Sequence, residues 1–393
     1  MDRKKSSNAV RRVVTSCAFG ACLVQILLVT TASAQSLPDT SSKSTALITV
    51  LKKLQISGTI RMRYTSSFEK DVGIDGTQHQ PPAGPFTGNA FTIPQARVVL
   101  TSDITRKMNV YMRVNFGDFA YLPQSRVLEY AYATYSFNDY INIRAGLFRP
   151  WFGREDDVST DFLKSFDYSN QYTAFSNIGW VSYQLGVSLF GGVKLGEIPL
   201  RYYAGVFNGN SRNSFSDNDN GKQFSARLES DLTKQIRVGV NGGLGRDLGQ
   251  DVSAWGADLN YQTNLSDRWK FELESEYKQG NNQLLFFSNP VPGKNIKDFK
   301  IRGVYVLPSI QYKIKSKKGL AVEASFKYES LDPDFKQNGN NWQQYVPMAG
   351  IDFVDQYAIR LQVGMVFDRY DRNVINTTNY NSGRFITQLQ LRF

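Results

Sequence analysis

Arginine side chains recur at alternate positions in stretches whose intervening residues are apolar. In the first of these stretches, Arg61 and Arg63 alternate with Ile60 and Met62. Successive side chains of a β-strand point to opposite faces, so the pattern predicts strands with one apolar and one basic face. Basic side chains around a water-filled bore favour anion passage, because a low-dielectric wall focuses their field. The basic residues predicted to line such a bore are Arg61, Arg63, Arg97, Arg113, Arg144, Arg201, Arg227, Arg237, Arg302 and Arg360, together with Lys313, Lys327 and Arg392.

Acidic residues are fewer on these predicted inward faces. They are Asp258, Glu272, Glu274, Glu276 and Glu323, with Glu129 and Glu229 as further candidates. Arginine and glutamate can pair across a lumen and neutralise each other, an alternative that stays open where acids crowd the stretch from Glu272 to Glu276. The overall basic excess favours anions.

A charged and aromatic segment at about residues 151–177 interrupts the alternating pattern after Pro150. We expect this loop to fold inward and act as a constriction that filters solutes by size. Its charges sum to -3, which disfavours phosphate binding at this loop. Whether the channel transports phosphate is therefore left open. The carboxylates of the loop are interpreted as solvated loop residues rather than ligands of a divalent cation. The charged residues of this constriction are Arg154, Glu155, Asp156, Asp157, Asp161 and Lys164, with Asp167 beside them.

Catalytic groups are scarce in this sequence. The only histidine is His79, in a long polar loop, so a histidine-dependent lipase or protease is not expected. No Gly-rich phosphate loop and no spaced metal-ligand motif occurs, and no carboxylate pair has a spacing that supports a glycosidase. The sequence therefore predicts neither an enzyme nor a cofactor or metal site.

Sixteen strands are predicted to position the bore-lining residues, an even number as single-chain bacterial barrels have. Short turns alternate with longer loops, and aromatic residues collect near the predicted strand ends, as in membrane barrels. The first strand starts at Leu54, and the others are predicted at 91–104, 107–118, 126–138, 140–150, 178–191, 199–208, 220–232, 235–246, 251–263, 268–280, 300–315, 319–332, 355–368, 372–380 and 383–393.

The N-terminal residues 1–34 have the features of a secretory signal peptide. Five basic residues precede an apolar run, and Ala32-Ser33-Ala34 closes it. Both cysteines, Cys17 and Cys22, lie within this stretch, so no disulfide is expected in the mature chain. A short lead-in at 35–53 and a transmembrane β-barrel at 54–393 complete the predicted organisation.

Composition supports an exported barrel over a helical membrane protein. Mean hydropathy is only -0.36 although 13% of the residues are aromatic, as expected when every second strand residue meets lipid. The formal charge is +11, and removal of residues 1–34 takes away five basic residues and one acidic residue, which leaves +7. The expected partners are outer-membrane lipid, lipopolysaccharide and small anionic or polar solutes. Nucleic acid is not expected, because the basic residues are spread along the strands. A secreted soluble β-protein and a non-conducting structural or adhesive barrel remain alternatives.

Several short motifs resemble those of one family. Gly146-Leu147-Phe148-Arg149, followed by Phe152-Gly153-Arg154-Glu155, is similar to the strand-to-loop signature of the phosphate-selective porin O and P family. Phe207-Asn208-Gly209, Ala226-Arg227-Leu228 and the closing Leu389-Gln390-Leu391-Arg392-Phe393 resemble further parts of it. One departure is that Trp151 stands before the Phe-Gly pair, where that family usually has proline.

This resemblance implies a Gram-negative outer-membrane porin with a sixteen-stranded antiparallel barrel, an inward-folded constriction loop and a homotrimeric assembly. It also implies the passage of small anions. Outer-membrane barrels commonly end on an aromatic residue that the assembly machinery reads, so Phe393 is expected to be an assembly signal.

Overall fold

The computed structural model describes residues 54–80, 84–117, 127–209, 217, 219–315 and 319–393. The predicted signal peptide and the lead-in at 35–53 lie outside these residues. The described chain forms one closed barrel of sixteen antiparallel strands, in which each strand pairs with its sequence neighbours and the last pairs with the first. The all-β fold and the strand number predicted from the sequence are confirmed.

The strands and short helices have the following bounds. The strands are β1 Leu54–Ser67, β2 Asn89–Asp103, β3 Met108–Asn115, β4 Leu128–Ser136, β5 Asn142–Phe148, β6 Gln184–Leu195, β7 Ile198–Phe207, β8 Gln223–Asp231, β9 Ile236–Asp247, β10 Gln250–Asn264, β11 Trp269–Asn281, β12 Lys300–Lys313, β13 Ala321–Asp332, β14 Trp342–Val354, β15 Ile359–Tyr370 and β16 Ser382–Arg392. The helices named below are α1 Arg154–Asp157, α2 Asn170–Asn177 and α3 Gln283–Ser288. Among the described residues, no helix combines the length and apolar character needed to cross a membrane.

Exposure alternates along the strands as the sequence pattern predicts. In β8, the side chains of Phe224 and Leu228 are 59% and 48% exposed, whereas Gln223 and Arg227 are 2% and 1% exposed. Large apolar side chains therefore cover the outer surface and polar side chains point inward. A surface of this kind is costly in water and suits hydrocarbon.

Two predictions near the C-terminus were wrong, because one strand was missed and one predicted strand does not form, and the two errors cancel in the count. Residues 342–354, expected in a loop, form β14, whereas residues 372–380, expected as a strand, lie in the loop before β16. Pro347 made β14 read as a loop, because proline lacks an amide hydrogen for the ladder. Its pairing with β15 is interrupted at positions 346 and 347 and resumes at Met348 in the same register.

The connections differ in length between the two ends of the barrel. One end carries tight turns, such as residues 196–197 and 265–268, whereas the other carries long segments, such as 149–183 and 282–299. The turn between β9 and β10 is the exception, because only Leu248 and Gly249 separate these strands at the long-loop end. The longest connection described in full is residues 149–183, between β5 and β6, and it is called the β5–β6 segment below.

Candidate functional site

The β5–β6 segment accepts hydrogen bonds from inward side chains of β1, β15 and β16. Arg61 of β1 donates to the carbonyl oxygens of Thr160 and Phe166, the latter at 3.0 Å. Arg360 of β15 donates to the carbonyl of Leu163 at 3.2 Å. In addition, the side-chain amides of Gln362 and Gln390 donate to the carbonyls of Lys164 and Asp161, each at 2.9 Å. The backbone of residues 160–166 is thereby held against three adjacent strands.

The same segment also contacts strands well removed from β1 in the barrel order. Lys164 forms an ion pair of 2.6 Å with Glu272 of β11. The side chain of Gln171 donates to the carbonyl of Glu276 at 3.2 Å, and the amide of Asn170 donates to Glu329 of β13 at 2.5 Å. These contacts connect the segment to β11 and β13 as well as to β1, β15 and β16.

Two apolar clusters complete the attachment of the segment. Phe166 packs among Tyr305, Leu307, Val346, Met348, Val366 and Ile386, which come from β12 and β14 to β16. Phe152, Phe175 and Trp180 form the second cluster with Val252, Ile301 and Leu331 on β10, β12 and β13. Buried rings of this size contribute strongly to packing, so apolar burial and hydrogen bonds both fix the segment.

Half of the ten arginines predicted to line the bore are buried in the structure. Their exposed fractions are at most 5%, so they can act on a permeating ion through their field but make little contact with water. These five residues are Arg61, Arg97, Arg113, Arg227 and Arg360. The other five, which keep more exposure, are Arg63, Arg144, Arg201, Arg237 and Arg302. The role of all ten in selectivity stays a prediction.

Arg97 and Arg113 share one buried carboxylate, which a β-bulge supplies. The register of β3 and β4 shifts between Arg113 and Val114, and Glu129 lies in this irregularity. Glu129 is 2.8 Å from a nitrogen of Arg97 and 2.7 Å from one of Arg113. Arg97 also lies 3.7 Å from Asp161 of the segment. Burial alone would raise the pKa of Asp161, but the Arg97 and Arg113 guanidiniums and a hydrogen bond from Ser159 together outweigh it and lower the pKa.

Acids and bases pair along β7 to β10 instead of facing open water alone. Arg227 contacts Asp258 at 2.5 Å and Glu229 at 2.9 Å. Arg201 contacts Glu229 at 2.6 Å, and Arg237 contacts Asp231 at 2.6 Å. Basic and acidic side chains thus pair within this wall, away from Glu272 to Glu276 where the sequence left pairing across the lumen open. This pairing reduces the basic excess that the arginine count alone suggested.

Two of the acids predicted to form the constriction, Glu155 and Asp156 of α1, are buried beside charged side chains of β11. Glu155 and Asp156 are 4% and 3% exposed. Lys278 of β11 lies 3.9 Å from Asp156 and 2.7 Å from Glu276, and Gly153, with φ of +157°, leaves no room for a Cβ beside this pair. Burial, reinforced by Glu276, raises the pKa of Glu155 to about 8. Burial likewise raises the pKa of Asp156 to about 7, against the opposing effect of Lys278.

The remaining predicted constriction residues lie near the same acidic strand or at the surface. Arg154 is 3.9 Å from Glu274, and Lys164 also reaches Glu274 at 3.5 Å. Asp157 is exposed. Within the described part of the chain, no group of three or more histidine, cysteine or acidic side chains could hold a metal ion.

Arg149 is a residue that the sequence analysis did not select as a site residue. Its guanidinium donates to the hydroxyls of Tyr130, Tyr168 and Tyr172 at 2.6, 2.7 and 3.2 Å, and to the carbonyl of Val158 at 3.1 Å. Burial lowers the pKa of Arg149, but the surrounding tyrosines together outweigh that effect, so the pKa lies above its ordinary value. Its position directly after β5, within the Gly-Leu-Phe-Arg motif, was the only sequence signal available.

Two cavities are lined by residues from different parts of the β5–β6 segment. A cavity of about 400 Å³ is lined by Arg63, Asp167 and Arg384, with long-loop residues such as Asp75. Another of about 600 Å³ is lined by Arg154, Asp231 and Arg237, with turn residues such as Thr233. Space for water thus exists toward both ends of the barrel.

One family model and a set of solved structures match this chain. The model of the phosphate-selective porin O and P family matches residues 67–242, which confirms the resemblance predicted from the sequence motifs. A comparison with curated proteins found no match.

Three solved structures represent the fold likeness. The outer membrane channel DcaP of Acinetobacter baumannii superimposes with a TM-score of 0.55 at 16% identity, over 86% of this chain and 97% of that chain. An anion-selective porin from Comamonas acidovorans gives 0.54 at 9% identity, over 86% and 98%. The trimer form of OmpT from Vibrio cholerae gives 0.51 at 11% identity, over 86% and 99%. At these identities the likeness establishes the fold.

Proposed function

We propose, from the match to the phosphate-selective porin O and P family, that this chain is an outer-membrane porin for passive diffusion of small hydrophilic solutes. The observation that carries the proposal is the closed sixteen-strand barrel with apolar side chains outside and charged side chains inside. Family and fold both support a channel rather than an enzyme. The outer membrane is the matching location, with lipid and lipopolysaccharide against the outer face.

The β5–β6 segment is the proposed constriction of this channel. It contacts inward side chains on β1, β11, β13, β15 and β16, and a segment that reaches strands so far apart in a closed ring is well placed to narrow it. Water-accessible cavities that include Asp167 and Arg154 support a path past the segment. Its charged residues from Arg154 to Lys164 then contribute to the size filter.

A mild preference for anions is the proposed selectivity. Arg63, Arg201 and Arg237 keep 13%, 29% and 35% of their side chains exposed, and the chain without residues 1–34 carries a formal charge of +7. One structural relative is described as an anion-selective porin. The ion pairs along β7 to β10 and the acids of the segment keep the preference small, and they support no specific phosphate site at the segment.

The proposed assembly is a homotrimer. A structural relative, OmpT of Vibrio cholerae, is described in a trimer form. The outer face of this barrel exposes large apolar side chains such as Phe91, Phe224 and Leu244. Cross-linking in the native membrane, followed by electrophoresis without heating, is expected to give a species of three chains.

Single-channel recording tests the proposed function directly. Purified protein added to a planar bilayer is expected to produce discrete conductance steps, and a KCl gradient is expected to give a reversal potential of the sign for anion preference. The same preparation after boiling in detergent serves as the control and should give no steps. A folded barrel that never conducts would contradict the porin function.

A non-conducting structural barrel is the second candidate, and one observation favours it. The two apolar clusters around Phe166 and Trp180 fill part of the space enclosed by β10 to β16 with side chains. If these clusters close the lumen, the bilayer recording stays flat although the protein inserts. Deletion of residues 159–167 would then be expected to create conductance where the full chain has none.

A further inference from the structure

Arg144 on β5 differs from the other exposed inward arginines in its partners. Arg63, Arg201 and Arg237 each have a carboxylate oxygen within 3.0 Å. Arg144 has no carboxylate of the described chain within 4.0 Å of its nitrogens. Its Nε donates to the hydroxyl of Thr134 at 3.2 Å, and no described residue accepts from its two terminal nitrogens. The terminal edge of this guanidinium is therefore open while the side chain is only partly exposed.

Aromatic rings hold the Arg144 guanidinium in place. Its central carbon lies 4.2 Å from the ring centre of Tyr132 and 4.6 Å from that of Trp151. Phe190 and Phe148 follow at 5.2 and 5.7 Å. Contacts of this kind stabilise a cation without neutralising it, so the positive charge stays available to a ligand.

The rings of Tyr132 and Trp151 that hold Arg144 are themselves held by neighbouring rings. The ring centre of Trp151 lies 4.5 Å from that of Tyr203 and 5.0 Å from that of Phe190, and Tyr132 stacks on Tyr111 at 5.1 Å. A guanidinium held in one orientation loses little further freedom when it binds, and its two terminal nitrogens match two oxygens bonded to one central atom of an anion. Preorganisation of this kind favours binding.

We propose that Arg144, held by Tyr132 and Trp151, is a binding site for small oxyanions that present two oxygens, such as a carboxylate or phosphate. The proposal rests on the proposed function, because the bore brings the anion to this residue. A single guanidinium binds weakly, which suits a conducting channel because a solute must also leave. The site lies on β5, apart from the acidic cluster of α1, and Trp151 is the residue that departs from the family motif.

Tryptophan fluorescence of the folded protein in detergent micelles tests the site without requiring conduction. Inorganic phosphate and sodium acetate are titrated separately at constant ionic strength against a chloride background. A saturable change is expected for the wild type with at least one of them, and which one responds identifies the oxyanion class. Trp151→Phe is expected to lose most of the signal, because Trp151 reports on Arg144 among the five tryptophans.

Substitutions separate the guanidinium geometry from charge. Arg144→Gln is expected to weaken binding by about tenfold or more, because charge-assisted hydrogen bonds are lost. Arg144→Lys keeps the charge but cannot bind two oxygens in one plane. Its affinity is expected to lie between those of the wild type and Arg144→Gln. Arg268→Gln is the matched control, since Arg268 is an exposed arginine of the 265–268 turn that donates to the hydroxyl of Tyr312 at 3.0 Å, and it should bind like the wild type.

The outcomes distinguish this site from the channel function. Saturable binding that Arg144→Gln and Arg144→Lys both weaken supports the site even if bilayer recordings stay flat. Wild-type protein that shows no saturable response to either anion overturns the site even if the channel conducts. Equal affinities in the wild type and in Arg144→Lys would overturn the two-oxygen geometry, and fluorescence with heat-dependent gel migration confirms that each variant is folded.

Discussion

Two walls of the barrel carry inward arginines and use them differently. On β1 to β3, Arg61, Arg97 and Arg113 are at most 5% exposed and bond to the β5–β6 segment or to buried carboxylates. On β7 and β9, Arg201 and Arg237 remain 29% and 35% exposed and pair with acids of their own wall. Residue type and facing direction are the same on both walls. Arg61, Arg97 and Arg113, which bond to the segment or to Glu129, are therefore structural anchors, whereas Arg201 and Arg237, which bond to neither, stay exposed to water.

Burial also changes what each arginine contributes to stability. Removing one partner of a buried ion pair leaves an uncompensated charge in a poorly solvated site, which is strongly destabilising. Exposed pairs contribute little because water and salt screen them. The two walls should thus respond to matching substitutions by different amounts and in different measurements.

The largest expected effect is the loss of stability in Arg97→Met. Glu129 and Asp161 would lose a buried cation, so the free energy of unfolding should fall by about 3 kcal/mol. Urea unfolding in detergent micelles, followed by tryptophan fluorescence, measures it. Arg201→Met is the matched control and should change stability by less than about 1 kcal/mol. Equal losses in the two variants would remove the distinction between the walls.

Raising the pH should have the next largest effect, because it titrates buried acids of the β5–β6 segment. Glu155 and Asp156, with pKa values raised to about 8 and about 7, keep their protons in the folded state at pH values where the unfolded chain has lost them. The free energy of unfolding should therefore fall as the pH rises from 7 to 9, by roughly 2 kcal/mol. The measurement is urea unfolding at several pH values.

The double variant Glu155→Gln, Asp156→Asn is the control for this pH dependence. It removes both titrating groups but keeps side chains of similar size, so most of the decline between pH 7 and 9 should disappear. A decline that is as steep in the double variant as in the wild type would assign the effect to other groups.

Arg61→Met should loosen the segment with a smaller loss of stability. The carbonyls of Thr160 and Phe166 would lose charge-assisted donors, which costs about 2 kcal/mol. Conductance should rise because the segment is less firmly held, and protease should cut within residues 159–167 more readily. Arg237 bonds to no segment residue, so Arg237→Met should leave the protease sensitivity of residues 159–167 unchanged.

The barrel could be predicted from the sequence because its determinants are local and repetitive. Alternation of apolar and polar residues fixes which face each strand turns to lipid, and it needs no knowledge of the partner strand. β14 was missed because Pro347 is uncommon inside strands and because apolar residues on both faces of β14 hide the alternation that marks the other strands. The segment 372–380 read as a strand because its β-branched residues Val374, Ile375 and Thr377 are typical of strands.

The site was less predictable because it depends on contacts between distant residues. No local pattern shows that Arg61 reaches the carbonyl of Phe166, 105 positions away. Nor does alternation indicate that a bulge turns Glu129 toward Arg97 and Arg113. The charge of the segment was counted correctly, but its partition into buried and exposed acids depends on where Lys278 and Glu276 stand.

The smallest expected effect concerns ion selectivity on the exposed wall. Arg201→Gln removes a water-exposed positive charge and should lower the anion-to-cation permeability ratio, by less than about twofold because salt screens exposed charges. Asp231→Asn removes a negative charge beside it and should raise the ratio by a similar factor. Reversal potentials in a KCl gradient measure both changes. Shifts in the same direction, or none in either variant, would show that this wall does not face the permeating ions. Its exposed arginines would then have a structural role, as Arg61 has.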